Sequence, residues 1–397
     1  MDILSRRRWA DVAGAFKTIF GGDGDVSLFS APGRIELCGN HTDHQHGRVL
    51  AGAISLAMYG AAAPNGLDAI RIHSLGYHVE RVNLDELKPC SEEVGKSSAL
   101  VRGVAARFCE MGYPVAGFDA YIVSEVPKGI GMSSSAAFEV LIGTIINALY
   151  CGGEVPPIEI AKAGQYAENV FFGKPCGLMD QAISAIGGVA AMDFSDPDNP
   201  LVEPLPADFS EYALCIIETG GDHSSLIGEY AAIAAEMAAV AGFFGEKWLR
   251  DVNEDEFYNS IRDVKAALGD RATLRAMHFF SEDARAAKAA DALKNGDVGA
   301  FLSIVAQSGR SSWMYLQNIS KPGAANEQPA AFVLALCDRL LRGEGAFRIH
   351  GGGFAGTIQA FVPLDMSDSF IREVDNVMGD GACRVVSIRE LGGIQII

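Results

Sequence analysis

The sequence predicts an α+β protein built in two halves. Strand-like and helix-like stretches alternate along its 397 residues, and hairpin-like turns separate several of them. A chain of this length usually forms two or three domains. The stretch 193–206 is dense in Asp, Pro, Asn and Ser, which is typical of a linker. We therefore expect an N-terminal domain over residues 1–200 and a C-terminal domain over residues 201–397.

Composition and charge exclude several classes of function. The chain carries 50 acidic and 32 basic residues, which gives a formal net charge of −18. A surface this negative repels nucleic acids and anionic membranes, so we expect neither as a partner. The eight cysteines are scattered with no C-x-x-C pair, a pattern typical of reduced thiols in a cytoplasmic protein. Consecutive arginines at 6–8 stand where a secretory signal would be apolar, so the expected location is the cytoplasm.

The first half contains a predicted strand, a turn and two helices. Apolar side chains alternate over 118–126, as in a half-buried strand. The proline and glycines of 127–131 end this strand, and Ser133 or Ser134 can cap a following helix of regular apolar spacing. Glycines and prolines then end that helix, and a second helix is predicted over 158–172.

The second half begins with a predicted buried strand at 212–219. Long helical stretches follow at 230–248, 282–293 and 331–341, and 357–362 is predicted as another strand. Strands and helices interleave here as in the first half, which again favours an α+β arrangement.

Residues 127–137 form a candidate phosphate-binding loop. Gly129 and Gly131 allow the backbone to approach a ligand closely, because no Cβ intervenes. The serines that follow lie where a helix begins, and free N–H groups there can bind phosphate oxygens. Serine hydroxyls can also ligate Mg²⁺. From the local sequence alone, an ordinary strand–turn–helix corner with a serine cap is an equally good interpretation.

A polar stretch punctuated by glycine occupies 31–47. It combines a guanidinium, carboxylates, amides and imidazoles, whose directional donors and acceptors suit a polyhydroxylated ligand. Arg34 could also neutralise charge on a phosphoryl group. A plain polar loop is a further alternative. Another is a metal site, whose ligands would be His41, Asp43, His44 and His46.

A third polar segment, residues 173–181, ends in Asp180 and Gln181. Asp180 follows a glycine and a hydrophobic pair, close to a chain reversal at 187–188. Glu168 lies twelve residues before Asp180 on the preceding predicted helix and could face a metal. A helix-capping aspartate and a solvated glutamate explain the same residues equally well from local sequence.

Taken in order, these segments resemble the galactokinase family of the GHMP kinase superfamily, nearly from end to end. The stretch 31–43 resembles the galactokinase sugar signature, and 129–137 is similar to the family's ATP-phosphate loop. The stretch 175–181 resembles the segment that bears the catalytic aspartate. The stretch 351–356 resembles the C-terminal glycine motif.

The resemblance implies an α+β, two-domain GHMP kinase fold. Its N-terminal domain would resemble ribosomal protein S5 domain 2, its C-terminal domain would be ferredoxin-like, and the site would lie between them. The implied activity is ATP-dependent phosphorylation of galactose at the anomeric hydroxyl, giving galactose 1-phosphate and ADP. The implied cofactors are ATP and Mg²⁺, and the implied partners are only these small molecules, with the chain acting as a monomer or weak homodimer.

The resemblance also implies a role for each site residue. Asp180 would accept or orient the anomeric proton, and Arg34 would hold Asp180 ionised while steadying the transferred charge. Glu168 would hold Mg²⁺ together with a serine of the loop, such as Ser134. The implied sugar-binding residues are Asn40, His41, Asp43 and Tyr230. The implied phosphate-binding residues are Gly129, Gly131, Ser133, Ser134 and Ser135.

Four positions in the sugar signature depart from the family pattern. Glu36 and Asn40 stand where the family usually has Asn and Glu, and His44 and Gln45 stand where it has Tyr and Asn. Asn40 replaces an acceptor-only carboxylate by an amide that also donates two hydrogen bonds. Two alternatives therefore stay open: phosphorylation of another hexose or an N-acetylhexosamine, and a sensor that binds sugar and ATP without turnover.

Overall fold

The computed structural model describes residues 3–21, 25–127, 131–221 and 226–396. Within this part of the chain, the strands form two sheets. The strands, in chain order, are β1 (Ser27–Cys38), β2 (Arg48–Pro64), β3 (Ala69–Ser74), β4 (Glu80–Asn83), β5 (Phe118–Ser124), β6 (Val189–Asp193), β7 (Leu201–Leu205), β8 (Tyr212–Glu218), β9 (Ala346–Ile349), β10 (Thr357–Pro363), β11 (Cys383–Val386) and β12 (Ile394–Gln395).

Helices cover both sheets. The α-helices, in chain order, are α1 (Ile3–Phe20), α2 (Ser97–Glu110), α3 (Ser134–Tyr150), α4 (Pro157–Tyr166), α5 (Met179–Ile186), α6 (Ile227–Phe243), α7 (Glu254–Asn259), α8 (Ile261–Lys294), α9 (Val298–Ser311), α10 (Pro329–Leu341) and α11 (Leu364–Met378). Non-helical backbone at Gly269 interrupts α8. Wider, π-helical turns extend α4 over Ala167–Phe172 and α9 over Ser312–Leu316. None of the helices in the described part of the chain has the length and apolar character needed to span a bilayer.

The first sheet is organised around the long strand β2. This strand pairs along its length with β1, and its two halves pair on the other side with β6 and β5. Strand β3 runs parallel to β5, and the other pairs of this sheet are antiparallel. Helices α3 and α5 pack against β1 and β2, while α1 places Trp9, Val12 and Phe16 against Tyr59 and Tyr121 of the sheet. Burial of apolar side chains by these helices stabilises the sheet.

The second sheet is antiparallel, with the strand order β11-β8-β10-β9. Successive residues of β8 point to opposite faces, as the period of a strand requires. Cys215 and Ile217 pack with α10 and α11, and Leu214 and Ile216 belong to the large core shared with α8 and α9. Both faces are therefore buried, which explains the continuous apolar run in the sequence of this strand.

The C-terminal stretch of the chain returns to the first sheet. Arg389 N donates to Ala53 O at 2.9 Å, and β12 pairs with β1 through Phe29 and Gln395. The first sheet also includes β7, which lies inside the predicted linker and pairs with β6. The division of the chain at 200–201 stays a prediction.

Most of the predicted elements are present. The predicted strands at 118–126, 212–219 and 357–362 correspond to β5, β8 and β10. The helix predicted over 158–172 is α4 with its π-helical extension. Ser133, one of the two predicted caps, occupies the N-cap position of α3, but it adopts a left-handed backbone conformation and makes no side-chain cap bond. Its hydroxyl is used elsewhere, as described next.

Candidate active site

Arg34 and Asp180 form a bidentate ion pair between strand β1 and the first turn of α5. Arg34 Nε donates to Asp180 Oδ1 at 2.6 Å, and Arg34 Nη2 donates to Asp180 Oδ2 at 2.9 Å. A third donor of the guanidinium, Nη1, reaches Gly131 O at 2.6 Å. The Arg34 side chain is 6% exposed and the Asp180 side chain is 31% exposed. The carboxylate is therefore the more exposed member of the pair, and the buried guanidinium binds it from the protein interior.

A bulge in β1 orients Arg34. The pairing of β1 with β2 shifts register between Pro32 and Arg34, which turns the chain at Gly33. A Cβ at Gly33 would lie 3.2 Å from the methyl groups of Val126, so glycine suits this close approach. Ser184 of α5 donates to Pro32 O at 2.6 Å, which ties the helix of Asp180 to the same bulge.

The start of α3 lies directly beside this pair. The Ser133 hydroxyl donates to Asp180 Oδ2. Gly131 and Ser133 both have positive φ, at 85° and 53°, so the turn that leads into the helix is tight. The N–H groups and dipole of the 17-residue helix α3 therefore point toward the surroundings of Asp180. Gly129 lies outside the described residues.

Asp180 is held ionised by its neighbours. Burial alone would raise the pKa of this carboxyl, but the Arg34 guanidinium and the hydrogen bonds from Arg34 and Ser133 outweigh burial. The pKa therefore lies below its usual value. At neutral pH the site presents a carboxylate that can accept a hydrogen bond from a ligand hydroxyl.

His41 and His44 form a neutral imidazole pair at the edge of the site. His41 Nε2 lies 3.0 Å from Gly352 O, and His41 Nδ1 lies 3.2 Å from His44 Nε2. Burial lowers the pKa of His41 to about 3 and that of His44 to about 4. Because a carbonyl only accepts, His41 Nε2 carries the proton and His44 Nε2 donates to His41 Nδ1. The pair thus fixes the loop 40–44 against the glycine turn at 351–353.

Asp43 lies against the segment that leads to Asp180. A Cβ at Gly177 would lie 1.7 Å from Asp43 Oδ2, so residue 177 must be glycine for this carboxylate to fit. His44 N donates to Asp43 Oδ1 at 2.9 Å. Burial, followed by the charges of Asp180 and Glu36, raises the pKa of Asp43 to about 7.

This raised pKa predicts a pH-dependent stability. A carboxyl that is disfavoured as an anion in the folded state stabilises the fold below its unfolded pKa of about 4, and this contribution is lost as the pH rises through about 7. We therefore expect Asp43→Asn to gain free energy of unfolding relative to the parent chain between about pH 5 and about pH 8. Urea unfolding at both pH values measures this gain. The exposed Asp368, changed to Asn, is the control, and an equal effect of Asp43→Asn at both pH values would contradict the prediction.

Asn40 does not have the exposed side chain that a direct sugar contact requires. Its side chain is fully buried, and its Nδ2 donates to both carboxylate oxygens of Glu36 and, at 2.7 Å, to Gly351 O. Its Oδ1 accepts from Ser312 Oγ at 3.1 Å and Asn318 Nδ2 at 2.9 Å. All of its hydrogen-bonding positions are taken by protein groups, so Asn40 offers none to a ligand in this structure.

Glu36 supplies the carboxylate that position 40 lacks. Arg348 Nη2, from β9, donates to Glu36 Oε1 at 2.5 Å, and both side chains are buried. The amide and carboxylate of the usual family pattern have therefore exchanged places, and the carboxylate now serves a buried ion pair. Burial raises the pKa of Glu36, while Arg348 and Arg34 oppose this rise.

This exchange predicts that positions 36 and 40 are coupled. Asn40→Glu places a second buried carboxylate beside Glu36, and we expect it to lower the free energy of unfolding by about 3 kcal/mol. The double variant Glu36→Asn, Asn40→Glu restores one carboxylate and one amide, and should recover most of that loss. Urea denaturation of the two single variants and the double variant measures the coupling. If the two single substitutions lower the free energy of unfolding by amounts that simply add in the double variant, positions 36 and 40 are not coupled.

Tyr230, on α6, packs against the glycine turn at 351–353, next to the sugar-signature loop. Its hydroxyl donates to Gly353 O at 3.2 Å, and its ring meets Phe354 edge-on. A Cβ at Gly352 would lie 2.5 Å from the Tyr230 ring, so the glycine turn is shaped to admit this tyrosine. Burial raises the pKa of Tyr230 to about 12, so the hydroxyl remains a donor.

Glu168 lies in the π-helical turn after α4, behind the start of α3. Its Oε1 accepts from Ser135 Oγ at 3.2 Å and from Lys174 Nζ at 2.8 Å. Its Oε2 accepts from Gln181 Nε2 at 3.0 Å, and the same nitrogen donates to the fully buried Glu139 at 2.9 Å. The structure therefore brings Ser135, rather than Ser134, to the carboxylate of Glu168.

Sequence reasoning missed several residues that hold the site together. Glu282 of α8 is fully buried and accepts from Gly39 N at 3.0 Å and Asn40 N at 3.3 Å. His278, also on α8, lies 2.9 Å from Asn40 O. Glu139 was also missed, although a charged residue inside the apolar helical stretch of α3 is a sequence signal for a buried polar contact. The local sequence around Glu282 and His278 gives no signal of their partners, which lie far away in the chain.

The metal-site alternative for the sugar-signature loop finds no support. Within the described residues, there is no group of three or more His, Cys, Asp or Glu side chains arranged to hold a metal ion. His41 and His44 are occupied with each other and with a backbone carbonyl.

Comparison with known proteins identifies the family. Residues 14–64 match the family described as galactokinase galactose-binding signature, and residues 99–188 match the GHMP kinases N terminal domain. A galactokinase of Actinobacillus pleuropneumoniae serotype 5b (strain L20) is 31% identical over 364 residues, covering 91% of this chain and 90% of the relative. This chain belongs to the galactokinase family. It is therefore a sugar kinase of the GHMP superfamily, as the sequence motifs predicted.

Solved structures share the galactokinase fold. The crystal structure of Lactococcus lactis galactokinase complexed with galactose superposes with a TM-score of 0.83 at 24% identity, covering 98% of this chain and 99% of the other. The mevalonate kinase of Methanococcus jannaschii superposes with a TM-score of 0.65 at 16% identity, covering 92% and 99%. The predicted α+β GHMP kinase fold is confirmed.

Proposed function

We propose that this chain transfers the terminal phosphoryl group of ATP to the anomeric hydroxyl of galactose, giving galactose 1-phosphate and ADP. The observation that carries the proposal is the Arg34–Asp180 pair beside the start of α3. It puts a half-open carboxylate, an acceptor for a hydroxyl proton, next to a helix N-terminus, which binds phosphate oxygens. Phosphoryl transfer depends mainly on positioning and electrostatic stabilisation, and the pair contributes to both.

In this proposal each side of the site has its own task. Asp180 orients the anomeric hydroxyl and accepts its proton as the phosphoryl group arrives. Arg34 keeps Asp180 ionised and stabilises charge that develops on the transferred group. Asp43 binds sugar hydroxyls, with His41 and Tyr230 beside it. Asn40 acts indirectly, because its buried amide positions the loop that carries His41.

The nucleotide side fits ATP with Mg²⁺. The loop residues Gly131, Ser133, Ser134 and Ser135 surround the start of α3, where backbone N–H groups would bind the phosphates. The carboxylate of Glu168 and a serine hydroxyl of α3 offer the hard oxygen ligands that Mg²⁺ prefers. Mg²⁺ bound there would neutralise phosphate charge. We propose Ser134 or Ser135 as the serine ligand.

A panel of sugars tests the proposed acceptor. ADP release is followed with galactose, glucose and N-acetylgalactosamine under identical conditions, and the Asp180→Asn variant serves as the control for contaminating kinases. Galactose should give the highest kcat/KM. Turnover confined to another sugar would overturn galactose as substrate, and ligand binding without ADP release would support the sensor alternative.

We also propose that the protein acts in the cytoplasm as a monomer or weak homodimer. All eight cysteines are unpaired, which suits a reducing compartment. Sedimentation at several concentrations measures the oligomeric state, and a stable higher oligomer would contradict it.

A further inference from the structure

The chain reversal that ends the π-helical turn positions Lys174 next to the buried carboxylate of Glu168. Gly173 has a φ of 83°, which reverses the chain there, and Lys174 N donates to Glu168 O at 3.1 Å. Two residues later, Cys176 N donates to Asn169 Oδ1 at 2.7 Å. The backbone of residue 174 is thus anchored on both sides, which fixes the point from which its side chain extends.

The ammonium group of Lys174 reaches Glu168 from the open side of the site. Nζ lies 2.8 Å from Glu168 Oε1, and the Lys174 side chain is 51% exposed whereas that of Glu168 is 3% exposed. Ser135, in the first turn of α3, donates to the same oxygen at 3.2 Å. The ammonium therefore lies beside the helix N-terminus that forms the proposed phosphate site.

The field of this ammonium extends across the site. The charge of Lys174 contributes to the lowered pKa of Asp180, and it also opposes the burial that raises the pKa of Tyr230. A lysine ammonium is charged at neutral pH, and here it lies 2.8 Å from the carboxylate of Glu168.

A triphosphate needs such a charge here. Asp43, Glu168 and Asp180 line the site, and the whole chain carries a net charge of −18. This field opposes a polyanionic ligand unless cations lie next to the phosphates. A lysine on a rotatable four-carbon stem is a point charge that can exchange one oxygen ligand for another.

We propose that Lys174 is an additional phosphate-binding residue of this kinase, which exchanges its contact with Glu168 for the terminal phosphate of ATP. The proposal rests on the proposed function. During transfer the bond between the terminal phosphorus and the bridging oxygen to the second phosphate breaks, and the bond to the sugar's anomeric oxygen forms. The sugar proton passes to Asp180, and Lys174 keeps its own proton throughout, so its contribution is purely electrostatic. Glu168, once released by Lys174, would be available to hold Mg²⁺.

The test compares Lys174→Met and Lys174→Arg with a matched control. Lys162→Met removes a lysine that pairs with Glu159 at the same 2.8 Å but on α4, away from the proposed phosphate site. Calorimetry with a magnesium complex of a non-hydrolysable ATP analogue measures the dissociation constant without any sugar. We expect Lys174→Met to weaken this binding about tenfold, Lys174→Arg to recover part of the loss, and Lys162→Met to match the parent chain.

Steady-state kinetics completes the test. Lys174→Met should raise the KM for ATP and lower kcat while the KM for the sugar stays within about twofold. Thermal unfolding of each variant shows whether it is folded. A folded Lys174→Met variant whose analogue binding and KM for ATP match those of Lys162→Met would overturn the proposal. If the parent chain binds the analogue but does not phosphorylate galactose, the proposed substrate fails while the binding comparison still decides the role of Lys174.

Discussion

Asp180→Asn should lower kcat by about 10³-fold while the dissociation constant for the ATP analogue changes little. The amide cannot accept the anomeric proton as a carboxylate does, and general-base groups typically contribute rate factors of this size. In the proposed function the nucleotide binds mainly through the start of α3, which this substitution leaves in place. Single-turnover kinetics with saturating galactose and MgATP measures the chemical step separately from product release.

Another Arg–Asp pair with two hydrogen bonds in the same chain is a close control for this substitution. Arg71 holds Asp119 with two hydrogen bonds, at 2.7 and 2.5 Å, in the first sheet. Asp119→Asn therefore removes the charge of a similarly held carboxylate away from the site, and its kcat should remain near that of the parent chain. An Asp180→Asn variant with more than about a tenth of the parent activity would show that another group takes the proton.

Arg34→Met should lower kcat by about 10²- to 10³-fold and also move the pH dependence of the reaction. The guanidinium is the main group that holds the pKa of Asp180 below its usual value, so its loss raises that pKa. In the proposed mechanism the ionised carboxylate accepts the sugar proton, so the acid limb of the pH–rate profile should shift to higher pH. We expect the loss of charge stabilisation on the transferred group to account for most of the fall in kcat.

The matching control is Arg71→Met, which breaks the pair with Asp119 and leaves the site intact. It should lower the free energy of unfolding without moving the pH–rate profile. An acid limb that stays in place in Arg34→Met would show that Arg34 does not set the protonation state of the group that titrates.

Local sequence was sufficient to predict several elements of the fold, but it left the roles of the site residues open. The alternation over 118–126 predicts β5, and helical spacing predicts α3. The motifs resembling the galactokinase family place Arg34 and Asp180 in one site, although 146 residues separate them in the chain. Periodicity alone would not have paired them, because it carries no information about contacts this distant.

The supporting network could not be predicted in the same way. Glu36 pairs with Arg348, which is 312 residues away, and Glu282 binds the backbone of Gly39, which is 243 residues away. Such contacts depend on how the second half of the chain packs on the first. The missing cap bond of Ser133 has a related cause, since the partner of its hydroxyl, Asp180, lies on another helix.

The distance from an Asp180 carboxylate oxygen to the anomeric oxygen of bound galactose tests the central claim most directly. It is measured in a crystal structure of the protein with galactose and the magnesium complex of a non-hydrolysable ATP analogue. We predict a hydrogen bond of about 2.6–3.2 Å, with the terminal phosphorus in line with the same oxygen. Galactose bound with its anomeric hydroxyl turned away from Asp180, or phosphates bound away from the start of α3, would contradict the account.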